Sequence, residues 1–247
     1  MSLTLREDIV IVTGASRGIG AAIALRLVRA GMLVACLSRS GAMPEGTEDG
    51  DADRLYPFVA DVTDADAVRA ATAAATDGRR LVGFVNNAGL HTEAVSADLP
   101  IADWNAQISA NATSVLIGCQ SAYPHLRVDG GLIVNIGSFF DKIGVKRNLA
   151  YCASKAAVGA ISRVLAVEWA RDRIAVIDVA PGYIVTNLNR DVMQEGPLRA
   201  YLEKRIPSGA PGEADDVARL VAGLFAMDLR FLSGETIYLD GGQGIAH

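Results

Sequence analysis

The chain has few of the residues that build metal centres and disulfide frameworks. Its 247 residues include three histidines and three cysteines. His91, His125 and His247 have no metal-ligand spacing, so no metal site is expected. Cys36, Cys119 and Cys152 are isolated and odd in number, with neither CxxC spacing nor a paired framework, and read as reduced thiols. Cys152 stands beside Tyr151, but a nucleophilic thiol needs an adjacent base and no histidine is near it, so a packed or bystander thiol is the better reading. No apolar run approaches the roughly 18 residues of a membrane span, and Arg6, Glu7 and Asp8 stand just before the first strand-like run. A soluble, cytoplasmic chain with no membrane partner is expected. Positive charge is also short: the net charge is -5 and the Lys and Arg residues are scattered, which argues against a nucleic-acid partner.

Apolar residues are plentiful, at 51% of the chain, enough for a sizeable core. Short β-branched runs alternate with Ala-rich helical patterns, the signature of βαβ units and a parallel sheet. Strands are expected at Ile9–Thr13, Leu33–Leu37, Tyr56–Ala60, Val82–Asn86, Leu132–Ile136, Ala175–Val179 and Thr236–Leu239. Helices are expected at about Ile19–Ala30, Ala65–Thr76, Ile101–Leu126, Leu149–Arg171 and Ala214–Met227. Several strands are continuous apolar runs, as strands covered on both faces require. The pattern predicts one α/β domain over residues 1–247, a doubly wound parallel seven-stranded sheet with helices on both faces. Two segments break the alternation. Gly41–Arg54, with three glycines, a proline and five carboxylates, reads as an exposed loop. Tyr183–Gly212, interrupted by Gly196, Pro197, Pro207 and Pro211, reads as a long functional or mobile segment.

Two constellations carry chemistry. Tyr151 and Lys155 stand four residues apart, so on a helix a phenol and an ammonium share one face. A cation within about 4–6 Å would lower the phenol's pKa and fit it to exchange a proton with a carbonyl or alcohol oxygen. Alone, such a pair is more often an ordinary exposed face. Far upstream, Gly14-x-x-x-Gly18-x-Gly20 follows a strand and opens a helix. That is the context of a dinucleotide site: glycines admit a pyrophosphate to the backbone, and the helix N-terminus offers N–H donors and positive dipole.

The run Thr13-Gly14-Ala15-Ser16-Arg17-Gly18-Ile19-Gly20, the Asn86-Asn87-Ala88-Gly89 run, Ser138 ahead of Tyr151 and the YxxxK dyad closely resemble the short-chain dehydrogenase/reductase family, in its ordinary single-domain branch, which includes 3-oxoacyl-(acyl carrier protein) reductases. The resemblance extends to Pro181-Gly182, Thr186 and Asp240-Gly241-Gly242. It implies a Rossmann fold, with Tyr151 as acid/base, Lys155 tuning it and bonding the nicotinamide ribose, and Ser138 holding the substrate oxygen. Asn111 matches the position whose backbone holds a water of the proton relay. Gly14, Ser16, Arg17, Gly18, Ile19 and Gly20 match the phosphate turn, Asn87, Ala88 and Gly89 the turn beside the adenosine ribose, and Asp61 and Val62 the adenine contact. Pro181, Gly182, Ile184 and Thr186 match the segment over the nicotinamide, and residues 183–212 the substrate lid. A homotetramer or dimer through the Ile101–Leu126 and Leu149–Arg171 helices is implied too.

Cofactor choice turns on the end of the second strand, where an acidic residue would bind the 2′-hydroxyl of NAD and a basic one the 2′-phosphate of NADP. Ser38 fills the acidic position, with Arg39 next to it and Arg17 in the turn, which favours NADP(H) and leaves NAD(H) open. The carboxylates of Gly41–Arg54 weigh against it if they approach that phosphate. Phe139 and Phe140 either line an apolar pocket or pack beneath the lid, and His91 reads more readily as a surface histidine than as a substrate contact. The expected activity interconverts a small-molecule ketone or aldehyde with an alcohol. An NAD-dependent alcohol dehydrogenase working oxidatively and a non-catalytic dinucleotide sensor are the alternatives.

Overall fold

The computed structural model describes residues 7–187, 189–194, 196–227 and 230–246. Arg6, His247 and two positions of the expected lid, 188 and 195, lie outside the described residues. The chain runs β1 (Asp8–Thr13), α1 (Gly18–Arg29), β2 (Leu33–Ser38), β3 (Leu55–Val59), α2 (Ala65–Ala75), β4 (Arg80–Asn86), α3 (Ile101–Ile108), α4 (Ser114–Asp129), β5 (Gly131–Ile136), α5 (Leu149–Glu168) and β6 (Ile174–Pro181). A short strand β7 (Ile184–Val185), helices α6 (Arg190–Gln194) and α7 (Gly196–Arg205), strand β8 (Gly212–Glu213), helix α8 (Ala214–Ala226) and strand β9 (Thr236–Leu239) complete it.

Seven strands form one parallel sheet in the order β3-β2-β1-β4-β5-β6-β9. β1, β2 and β6 are buried along nearly their whole length because apolar side chains leave both faces of the sheet. One face packs Val10, Val12 and Val134 with Ile23 and Leu27 of α1 and Val221 of α8. The other packs Ile9, Ile11, Phe84 and Ile133 with Val115 of α4 and Val158 of α5. The order reverses between β1 and β4, so the loops at their carboxyl ends part and open a crevice, the usual ligand position in an open α/β sheet.

Each of the seven expected strands is present. The single helix expected over Ile101–Leu126 is not. It is two helices joined by a π-turn at Ser109–Thr113, and the turn contains Asn111. π-turns interrupt the regular helical ladder and recur at functional sites. Among its described residues the Tyr183–Gly212 segment carries the helices α6 and α7. β7 pairs with β8 and closes its ends, and Leu202 and Ile206 anchor α7 by burial. Gly41–Arg54 is irregular, as expected, but tied down: Asp51 is buried and bonds Arg29 at 2.8 Å, and the Glu45 carboxylate accepts the Gly18 N–H at 2.6 Å. Leu149–Glu168 is long and apolar enough to cross a membrane by those criteria alone, and in the fold it packs on β6.

Phe84 is among the largest fully buried side chains and sits mid-sheet on β4. Phe84→Ala should lower unfolding free energy by about 3–5 kcal/mol. Urea titration followed by circular dichroism measures this, and a loss below about 1 kcal/mol would mean the site collapses around the gap.

Candidate active site

The crevice holds two adjoining clefts. The first, a groove of about 730 Å³, runs over the carboxyl ends of β1, β2 and β4. Gly14, Ser16, Arg17, Gly18, Ile19, Gly20, Ser38, Arg39, Asp61, Val62, Asn87, Ala88, Gly89 and Thr186 line it. The turn needs its glycines. Gly14 and Gly18 have φ of +65° and +58°, a conformation that side chains disfavour. A Cβ on Gly20 would stand 2.3 Å from the Gly14 carbonyl oxygen and 2.4 Å from Asn87 Nδ2.

Thr13 and Asn87 lock the two flanking loops together. The Thr13 hydroxyl accepts the Asn87 and Ala88 N–H groups at 3.0 and 3.1 Å, and Asn87 Nδ2 donates to the Thr13 carbonyl at 2.9 Å. The groove therefore has a rigid floor, glycine backbone at a helix N-terminus whose Gly18 N–H is held by Glu45, and two exposed cations, a donor set that fits a dinucleotide once that carboxylate gives way. Neither Arg17 nor Arg39 forms an ion pair with a described carboxylate.

The second cleft, about 340 Å³, shares Ile19, Asn87, Gly89, Leu90 and Thr186 with the first. Ser138, Tyr151, Lys155, Pro181, Gly182 and Ile184 line it, so the expected reacting groups meet where the groove ends. Ser138 follows β5 in extended backbone, and its hydroxyl accepts the Phe140 N–H at 3.3 Å. Lys155, buried on α5, donates from Nζ to the Ile136 carbonyl at 2.7 Å. Asn111 stands behind the wall and lines neither cleft. Its Nδ2 donates to the Leu90 carbonyl at 2.8 Å and the Ser154 hydroxyl at 3.0 Å, while its Oδ1 accepts the Leu90 N–H at 2.7 Å.

One expectation fails. Tyr151 is not held below its ordinary value; burial pushes the phenol up, with the Ser138 bond opposing. Lys155 Nζ lies 5.7 Å from the ring centroid and is itself pushed down to about 8 by burial, so its charge does not dominate the phenol.

Three further residues border the second cleft, and of these His91 is exposed, as the surface reading expected. Phe139 and Phe140 are both buried and both line it. His91 lines it too, its ring centroid 4.6 Å from that of Tyr151 in an edge arrangement and its Nε2 2.5 Å from Asn148 Oδ1. Tyr183 closes an aromatic corner 5.5 Å from Phe139 and 6.0 Å from Phe140. Tyr183, Leu90, Asn189 and Met193 were not singled out from sequence as contacts. For Tyr183 the signal was its place directly after Pro181-Gly182.

Residues 14–243 match the family described as Enoyl-(Acyl carrier protein) reductase. D-threitol dehydrogenase of Mycolicibacterium smegmatis is 33% identical over 98% of this chain and 94% of its own length. The 3-oxoacyl-(acyl-carrier-protein) reductase MabA of Mycobacterium tuberculosis is 36% identical over 96% of this chain and 93% of its own. Among solved structures, ElxO with NADP bound superposes with a TM-score of 0.89 at 27% identity, covering 97% of this chain and 99% of that one. The chain belongs to the short-chain dehydrogenase/reductase family, oxidoreductases that act on alcohol and carbonyl groups.

Thiol chemistry lies outside the cleft. Burial pushes the Cys36 and Cys119 thiols up to about 12. Only Cys152 is partly accessible, and its Sγ faces the Ile143 carbonyl at 3.8 Å. A thiol reagent such as DTNB should label one cysteine per native chain rapidly and the rest only in denaturant. Rapid labelling of all three would contradict the burial described.

Proposed function

We propose that this chain interconverts a ketone or aldehyde with an alcohol, using NADP(H) in preference to NAD(H). The observation that carries the reading is the junction of the clefts: Ser138, Tyr151 and Lys155 meet where the glycine-turn groove ends.

Bound NADP(H) would supply the hydride. Gly14, Ser16, Arg17, Gly18, Ile19 and Gly20 would hold its pyrophosphate, Asn87, Ala88 and Gly89 the adenosine ribose, Asp61 and Val62 the adenine. Pro181, Gly182, Ile184 and Thr186 would hold the nicotinamide. Ser138 orients the substrate oxygen through its hydroxyl, Tyr151 gives that oxygen a proton, and Lys155 steadies the ribose and the phenol's charge. Asn111, in its π-turn, holds the Leu90 backbone in place and serves the proton relay. Burial holds the phenol in its protonated form, the form that gives the substrate oxygen its proton, and the same phenol takes the proton back in the oxidative direction. His91, Phe140 and Tyr183 give the substrate an aromatic wall and favour a carbonyl with an apolar flank.

The preference for NADP(H) rests on electrostatics. Arg39 follows β2 at the groove's end, and no carboxylate of the Gly41–Arg54 loop lines the groove. Asp51 and Glu48 turn to Arg29, away from Arg39, while Glu45 occupies the Gly18 N–H and would have to yield it to a pyrophosphate. Residues 183–212 act as the lid, with Met193 reaching the cleft. Exposed Leu116 on α4 with Val164 and Val167 on α5 supports a homo-oligomer through these helices.

Tyr151→Phe should bind NADPH nearly as wild type while losing about 10²–10⁴ in kcat, the usual worth of a general acid. Cofactor titration by fluorescence and single-turnover rates separate the two effects, and near wild-type turnover would overturn the mechanism. Arg39→Ala should lower the ratio of kcat/KM for NADPH over NADH by about tenfold, one charge-assisted bond's worth. An unchanged ratio, or a wild type that prefers NADH, would remove the cofactor assignment.

A further inference from the structure

Strand β6 carries one charged residue, Asp178, in the middle of an otherwise apolar run, and its side chain is fully buried. Its Oδ2 accepts the Thr236 hydroxyl at 3.2 Å, while its Oδ1 has no hydrogen bond of good geometry among the described residues, the nearby Gly137 N–H being given mainly to the Val179 carbonyl at 2.8 Å. A buried carboxylate oxygen without a partner is costly, so something must offset its charge. The neighbouring geometry identifies what. A Cβ on Gly137 would lie 2.4 Å from Asp178 Oδ1, so the carboxyl is pressed against the backbone just after Ile136. The Ile136 carbonyl is the group that holds Lys155 Nζ at 2.7 Å. The carboxyl and the ammonium thus flank the same two residues at the end of β5, both out of water.

We propose that Asp178 is a positioning residue of the active site, the buried counter-charge that keeps Lys155 protonated and seated against Ile136. This rests on the role proposed above for Lys155 and names the group that supports it. Burial and the charges agree in direction. Desolvation lowers Lys155 to about 8 and Asp178 opposes it, whereas desolvation raises Asp178 to about 6 and Lys155 opposes that. The other groups around Asp178 do not supply the missing charge. Asp141, after β5, repels it, and Tyr238 on β9 bonds Asp141 at 2.9 Å. Arg163 is the second cation on α5. Its Nη1 and Asp178 Oδ2 lie 3.3 and 3.5 Å from the point where a Cβ on Gly159 would sit; neither Arg163 nor Lys155 is in direct ion-pair contact with Asp178, but Arg163 is exposed to water, which screens its charge, whereas Lys155 is buried.

A double-mutant cycle on thermal stability tests the coupling without cofactor or substrate, so it is read whether or not the proposed activity is found. Asp178→Asn keeps the shape and removes the charge; Lys155→Met removes the cation. Above pH 6 wild-type Asp178 is ionised, so losing Lys155 strands its charge. At pH 7.5 the change in Tm caused by D178N should be more favourable in the K155M background than in wild type, by about 2–6 °C. At pH 4.5, where the raised carboxyl is protonated, the two substitutions should add. The acid's folded value lies above its unfolded one, so the stability it contributes is present at low pH and is lost as pH rises through about 6. Additivity at both pH values would overturn the proposal. Should D178N not fold, D178S is read in the same cycle. In turnover, D178N should move the alkaline limb of the kcat profile down by about one pH unit, whereas a purely structural role would lower activity without moving the limb.

Discussion

The clamp between Thr13 and Asn87 is the constraint on which the rest of the site depends. One hydroxyl accepts two backbone N–H groups from the loop after β4, and one amide returns to the backbone after β1. These bonds cross the point where the strand order reverses, the one place in the sheet where neighbouring loops diverge and would otherwise leave polar groups unpaired. With the loops tied, the glycine turn keeps its tight conformation, α1 starts where an anion can meet its first N–H groups, and the groove leads into the pocket of Ser138, Tyr151 and Lys155. The clamp leaves no room above it: any side chain at Gly20 would strike Asn87.

Dryness is the second organising force. Tyr151 is driven toward its neutral form and so is Lys155, because a low-dielectric site disfavours charge of either sign. The phenol stays protonated, while the lysine's remaining charge depends on what lies behind it. The groove's other end is wet and cationic, with Arg17 and Arg39 exposed. One crevice therefore offers a polar, basic entrance and an apolar, aromatic interior, which matches a ligand whose charge is concentrated at one end.

Much of this was legible in the sequence, because strand runs, glycine spacing and the YxxxK pair are local patterns. The seven apolar runs became the seven sheet strands, and the residues of the glycine turn do line the groove. What was hidden is long-range. Nothing local marks the π-turn at Ser109–Thr113, where Asn111 bonds Leu90 and Ser154, both distant in sequence. The acidic loop looked like a threat to a phosphate because its carboxylates cannot be aimed from composition; Glu45 in fact reaches back to Gly18. The depressed phenol expected from helical spacing failed because spacing says which groups are neighbours and not how much water they lose. Asp178 was readable as a lone charge in an apolar strand, but its partner sits on a helix that precedes it in the chain.

The most direct test of the central claim, that the two clefts form one reaction site, is isotope transfer. Purified protein incubated with NADPH deuterated at both C4 positions and a panel of carbonyls that includes a 3-oxoacyl thioester should yield an alcohol carrying one deuterium on its carbinol carbon by mass spectrometry. A protein that binds NADPH in the groove yet transfers no deuterium to any carbonyl in the panel would contradict the account and make the fold a dinucleotide binder without turnover.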